Sequence, residues 1–123
     1  MKEFEKTAAQ MEKWYGPVAL MLLVAPDEES SDSWNVIVSA RGLDRKAYGE
    51  AVRLFTETVR KTLPRSLWPA VTRVTVLRSS DPFVQTFIQR YPALHSGSTL
   101  QAVSVSGIDL PKAVIVGSNR KAA

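Results

Sequence analysis

The chain has 123 residues, 45% of them hydrophobic and 23% charged, with a formal net charge of +4. That composition excludes global disorder, and the length favours one domain with its own core. Cysteine is absent, which excludes disulfides, thiolate zinc sites and cysteine nucleophiles, and fits a reducing compartment.

The charge is unevenly placed. Residues 1–25 hold three acids (Glu3, Glu5, Glu12) and three lysines (Lys2, Lys6, Lys13). Residues 26–40 hold four acids, Asp27, Glu28, Glu29 and Asp32, and no base. Residues 41–78 hold nine bases against three acids. The pattern predicts an acidic loop and a basic middle.

In chain order, residues 3–15 carry Phe4, Ala8, Met11 and Tyr15 on one helical face, with Glu and Lys opposite. Gly16 and Pro17 end this helix. Its apolar stripe is narrow, so Phe4, Ala8, Met11, Trp14 and Tyr15 are a candidate interface with a partner molecule. The run 18–25, VALMLLVA, is apolar throughout. It reads as a central strand covered on both faces, being far shorter than the ~20 residues of a membrane-spanning helix. No net positive charge precedes it, and Pro26 and four acids follow it, so it does not read as a signal peptide. These features predict a cytoplasmic protein. The polar loop PDEESSDS leads to a second strand over 34–40, expected to pair antiparallel with the first.

Asp44 is the expected N-cap of a helix running to about Leu63, with Tyr48, Ala51, Val52, Phe55, Val59 and Leu63 buried. Gly49 inside it is either a mild cost or a point of close packing. Pro64 stops the helix, and RSLWPA is expected to form a tight turn with Trp68 packed inward. Residues 71–78 read as a strand. At Ser79 the hydrophobic period changes from two to 3.6, and Asp81-Pro82 supplies a cap and first-turn residue. The helix 82–91 presents Phe83, Val84, Phe87, Ile88 and Tyr91 as an apolar face. Strands follow over about 99–106 and 108–117, joined by a turn at Ser106-Gly107. Pro111 suits an edge strand or a bulge. Residues 118–123 are expected to form a frayed basic tail behind a single domain over 1–117.

The order α-β-β-α-β-α-β-β predicts an α+β fold. It has a mixed five-stranded sheet, with the second and third helices on one face and the first helix or a second subunit on the other. Right-handed crossovers underlie that placement, if both strand–helix–strand units are parallel.

Three site readings follow. Arg45, Lys46, Arg53, Arg60, Lys61 and Arg65 give the second helix a basic character that could meet nucleic-acid or other anionic phosphates. Glu50 and Glu57 interrupt it, no aromatic is interleaved on that face, and no RNP, KH or P-loop pattern is present. Ser79 and Ser80 lie at a strand-to-helix junction, where α/β proteins often hold ligands. No glycine there lets a phosphate approach, however, and Asp81 occupies the cap. The single histidine, His95, sits in a Gly/Ser loop with no orienting neighbour in sequence, and no G-x-S-x-G turn accompanies the serines. The acids of the 27–32 loop do not follow calcium-loop spacing. The sequence therefore predicts no catalytic constellation, no cofactor and no metal.

The segments WNVIVSARGLD, VTVLRSSDPFV and VSGIDLPKAVIV resemble a family of short bacterial proteins of unassigned function. The resemblance implies a bacterial, cytoplasmic origin and transfers no activity. The sequence thus leads first to a non-enzymatic interaction module that self-associates. The alternatives are a nucleic-acid-binding domain using the basic helix, and an enzyme with a site assembled in space near Ser79 and Ser80.

Overall fold

A computed structural model describes residues 2–29, 32–92 and 96–118. Its elements are α1 (Lys2–Tyr15), β1 (Val18–Ala25), β2 (Trp34–Ala40), α2 (Tyr48–Thr62), β3 (Val71–Val76), α3 (Pro82–Arg90), β4 (Thr99–Val105) and β5 (Ile108–Ser118). Short 3-10 turns occupy Arg41–Leu43 and Arg65–Ala70. His95 lies outside the described residues. Of the expected tail, Ser118 belongs to β5, where it pairs with Leu20, and 119–123 lie outside the described residues.

The five strands form one mixed sheet in the order β3-β2-β1-β5-β4. Every residue of β1 is buried, as its unbroken apolar run requires. β1 pairs antiparallel with β2 on one side and with β5 on the other. β2 and β3 are parallel, so β2-α2-β3 is a crossover unit. The α+β class, the element order and the mixed five-stranded sheet agree with the sequence reading.

The helices are distributed differently from expectation. Phe4 and Met11 of α1 share one core with Ala51, Phe55 and Val59 of α2 and with Met21, Leu23, Val36 and Val38 of the sheet. Phe83, Val84, Phe87 and Ile88 of α3 pack on the opposite face, against Leu20, Leu22, Ile37 and Ile115. Helices α1 and α2 therefore cover one face and α3 the other. The cause lies in the second unit. β4 is antiparallel to β5, β5 to β1 and β1 to β2, which makes β4 antiparallel to β3. The link β3-α3-β4 joins opposite edges of the sheet in opposite directions, so the parallel-crossover rule does not govern it.

Local signals explain several element ends. Gly16 takes φ +76, and its N–H bonds to Glu12 O at 3.1 Å to close α1. The Asp81 carboxylate accepts from Phe83 N–H at 2.8 Å, with Pro82 in the first turn of α3. Ser106 and Gly107 both have positive φ, 48° and 78°, as a tight hairpin turn requires. Pro111 lies neither on an edge strand nor at a bulge: β5 sits between β1 and β4, and its register with β4 is one-to-one through the proline. Gln101 pairs with Lys112 and Val103 with Leu110, which leaves Ala102, at φ 51, opposite the proline. Toward the turn, Val105 and Leu110 join the α3 core.

Two α2 expectations change. The helix starts at Tyr48 without a side-chain cap, and Asp44 is used elsewhere. Tyr48 is 63% exposed and outside the buried stripe, because the late start places it in the first turn, beyond the core. The segment RSLWPA is a 3-10 turn in which Trp68 is half-buried and donates Nε1–H to Leu63 O at 3.2 Å.

The two glycines flanking this region make opposite predictions. A Cβ on Gly42 would sit 2.1 Å from the Tyr15 carbonyl oxygen, whereas one on Gly49 would meet nothing within 4 Å. Gly42→Ala should lower the thermal midpoint markedly by pushing α1 away. Gly49→Ala should leave stability unchanged or raise it by up to about 1 kcal/mol. Thermal and denaturant unfolding of the two variants check both outcomes.

Candidate functional sites

The junction after β3 is built around a carboxylate. Asp44, in the link before α2, accepts from Ser79 N–H at 2.9 Å, and its second oxygen accepts a short hydrogen bond from Ser79 Oγ. Gln85 Nε2 donates to Ser79 O at 2.6 Å. All the polar atoms of Ser79 are thus engaged, and they tie the loop before α2 to the loop before α3. Ser80 is exposed. The cleft lined by Leu77 and Arg78 measures about 40 Å³, room for water and far below a substrate site. Chemically, the arrangement holds two loops together, and the sequence signal for it was Asp44 assigned to the wrong role.

The stripe on α1 is largely consumed within the chain. Phe4 and Met11 are buried, and Ala8 and Tyr15 pack half-buried on the same core. The Thr7 and Thr62 hydroxyls lie 2.6 Å apart across the α1–α2 contact. Thr62 donates its hydrogen to Thr58 O at 2.7 Å, so Thr7 is the donor between them. Of the candidate interface residues only Trp14 stays largely exposed, at 46%.

The basic residues separate into three groups. Arg53 pairs with Glu57 at 2.9 Å, and Lys46 approaches Glu50 at 3.9 Å; these neutralise one face of α2. Arg60 and Arg65 lie over the Trp68 ring, 6.0 and 5.5 Å from its centroid. The Lys61 ammonium lies 5.2 Å from the centroid of Trp14. Arg45 is exposed beside the Arg41–Leu43 turn. The fold therefore brings aromatic rings to the cations of α2, contrary to the sequence reading, because Trp14 arrives from α1 and Trp68 from the Arg65–Ala70 turn.

Between α2 and β3 runs a groove of about 360 Å³. Val52, Val59, Val71 and Val74 give it an apolar floor, with Trp68, Arg60 and Arg73 at its rim. β3 is a sheet edge. Leu77 N–H bonds inward to Val38 O at 2.9 Å, and strand alternation then turns the main-chain groups of Val74 and Val76 outward. The other edge is interrupted at Ala102, where φ is positive, and is covered by Arg90, whose guanidinium donates to Ser104 O at 2.6 Å.

A further cleft of about 840 Å³ lies by the acidic loop, floored by Phe4, Leu23, Trp34, Leu67 and Val114, with Glu3 and Asp32 on it. A hydrogen bond from its own backbone N–H, in the first turn of α1, holds the Glu3 carboxyl below its ordinary value. Within the loop, Asp27 accepts from Glu29 N–H at 2.9 Å. Among the described residues no group of three acidic or histidine side chains is placed to hold a metal ion. No helix is long and apolar enough to cross a membrane among them. Compared with known proteins, the chain matches no family model, no curated sequence and no solved structure.

Replacing Asp44 by Ala should cost about 1.5–3 kcal/mol, the usual worth of hydrogen bonds to a charged group. Ser79→Ala should cost less, since the backbone N–H keeps its acceptor. Denaturant unfolding ranks the two; equal stability of Asp44→Ala and the unmodified chain would show that the loops hold without the carboxylate.

Proposed function

We propose that the chain is a non-enzymatic interaction module that self-associates by taking an extended acidic segment of a second copy along β3. The observation that carries this reading is the groove between α2 and an open sheet edge, rimmed by Arg60 and Arg73. Strand addition supplies main-chain hydrogen bonds, the valine floor supplies apolar burial, and guanidinium groups select carboxylates. Direct pairing of β3 with β3 of another copy is disfavoured, because it would bring the arginine rims together. The chain itself carries the complementary charge: Glu28, Glu29 and Asp32 are exposed in the loop between β1 and β2. A bacterial, cytoplasmic setting belongs to the same proposal, supported by the segment resemblance and the absence of cysteine.

Sedimentation velocity across micromolar concentrations tests it. The unmodified chain should form a reversible dimer or larger oligomer. Arg60→Glu with Arg73→Glu should weaken association about ten-fold or more, and Glu28→Arg with Glu29→Arg should do the same. Mixing the two double variants should restore association between them. A strict monomer, or association indifferent to these charges, would overturn the reading.

A further inference from the structure

We infer that a separate surface, the seam between α1 and α2, binds single-stranded nucleic acid. One cleft lies in this seam, and a second lies at its end, between the last turn of α1 and the link before α2. The first, of about 450 Å³, is lined by Lys6, Lys13 and Lys61 with no carboxylate. The other, of about 880 Å³, is lined by Arg41, Arg45 and Lys46 together with Trp14. Lys61 over the Trp14 ring links them. The second cleft contains one acid, Asp44, and both of its oxygens already accept from Ser79. Glu12 on α1 and Glu57 on α2 line neither cleft, and Glu57 is paired with Arg53.

A track of six cations, of which Lys46 also approaches Glu50 at 3.9 Å, with one engaged carboxylate in its lining, suits a ligand whose negative charges repeat along its length. The exposed indole of Trp14 narrows the class. Bases in a duplex present only their edges, whereas unpaired bases offer a face for stacking, and aromatic platforms beside cationic grooves hold single strands. RNA and DNA share this chemistry. The seam lies apart from the groove at β3, which Val71 and Val74 line, so the two surfaces are independently testable.

Fluorescence anisotropy with labelled oligo(dT) and oligo(rU) of about 12 nucleotides at ~50 mM salt gives the test, with a matched duplex and inorganic polyphosphate as comparators. Both oligonucleotides should bind more tightly than the duplex, and affinity should fall steeply as salt rises. Lys6→Ala, Lys13→Ala and Lys61→Ala combined should weaken binding about ten-fold or more and flatten the salt dependence. Trp14→Ala should weaken the oligonucleotides at least about five-fold while leaving polyphosphate unchanged, and Trp14→Phe should restore most of the loss. A preference for oligo(rU) or oligo(dT) names the sugar and supports the inference either way. Absence of oligonucleotide binding, tighter binding of the duplex, or equal effects of Trp14→Ala on oligonucleotide and polyphosphate would each overturn it. Unchanged thermal midpoints verify that the variants are folded.

Discussion

The structure depends on the two-sided burial of β1. Its eight residues are all buried, so neither face of the sheet centre can be left to solvent. One face receives α1 and α2, held to each other by the Thr7–Thr62 hydroxyl contact. The other receives α3 and the turn end of the β4–β5 hairpin. Each fully buried Phe or Leu in these layers stabilises by roughly 1.5–3 kcal/mol before conformational entropy is subtracted. That burial fixes where the helices go more strongly than any cap or ion pair.

Covering the sheet centre moves function to its periphery. β2 and β5 flank β1, so only β3 and β4 are edges. The positive-φ residue Ala102 and the Arg90 side chain interrupt one edge, and the other keeps its main-chain groups beside a valine-floored groove. The helix layer also gathers the cations. Because α1 lies on α2, lysines distant in sequence line one seam, and Trp14 is left exposed where the layer ends. Opposite charge is concentrated in the loop between β1 and β2. The result is a molecule with acidic and basic surfaces kept apart by the fold.

What the sequence made legible was local. The apolar run of β1, the Asp81-Pro82 start of α3 and the Ser106-Gly107 turn each depend on a few neighbouring residues, and each appears as read. Pro111 suggested an edge or a bulge and is at neither, because β5 is interior and pairs in unbroken register with β4, the proline facing Ala102. The misreadings depend on distant partners. Asp44 resembles a helix cap in sequence, but Ser79 recruits its carboxylate from across the fold. The face taken by α3 follows from the direction of β4, which only its pairing with β5 determines. The candidate sites fared likewise: a helix-by-helix inventory misses Trp14 beside Lys61 and Trp68 beside Arg60, because each pair joins separate elements.

Native-state hydrogen exchange tests the central claim most directly. If two-sided burial of β1 organises the molecule, the β1 amides should exchange only through global unfolding, with opening free energies equal to the global value. The outward amides of Val74 and Val76 on β3 should exchange far faster in dilute protein, where that edge has no partner. Sub-global opening of β1, or protection of Val74 and Val76 matching that of β1 in the monomer, would contradict the account.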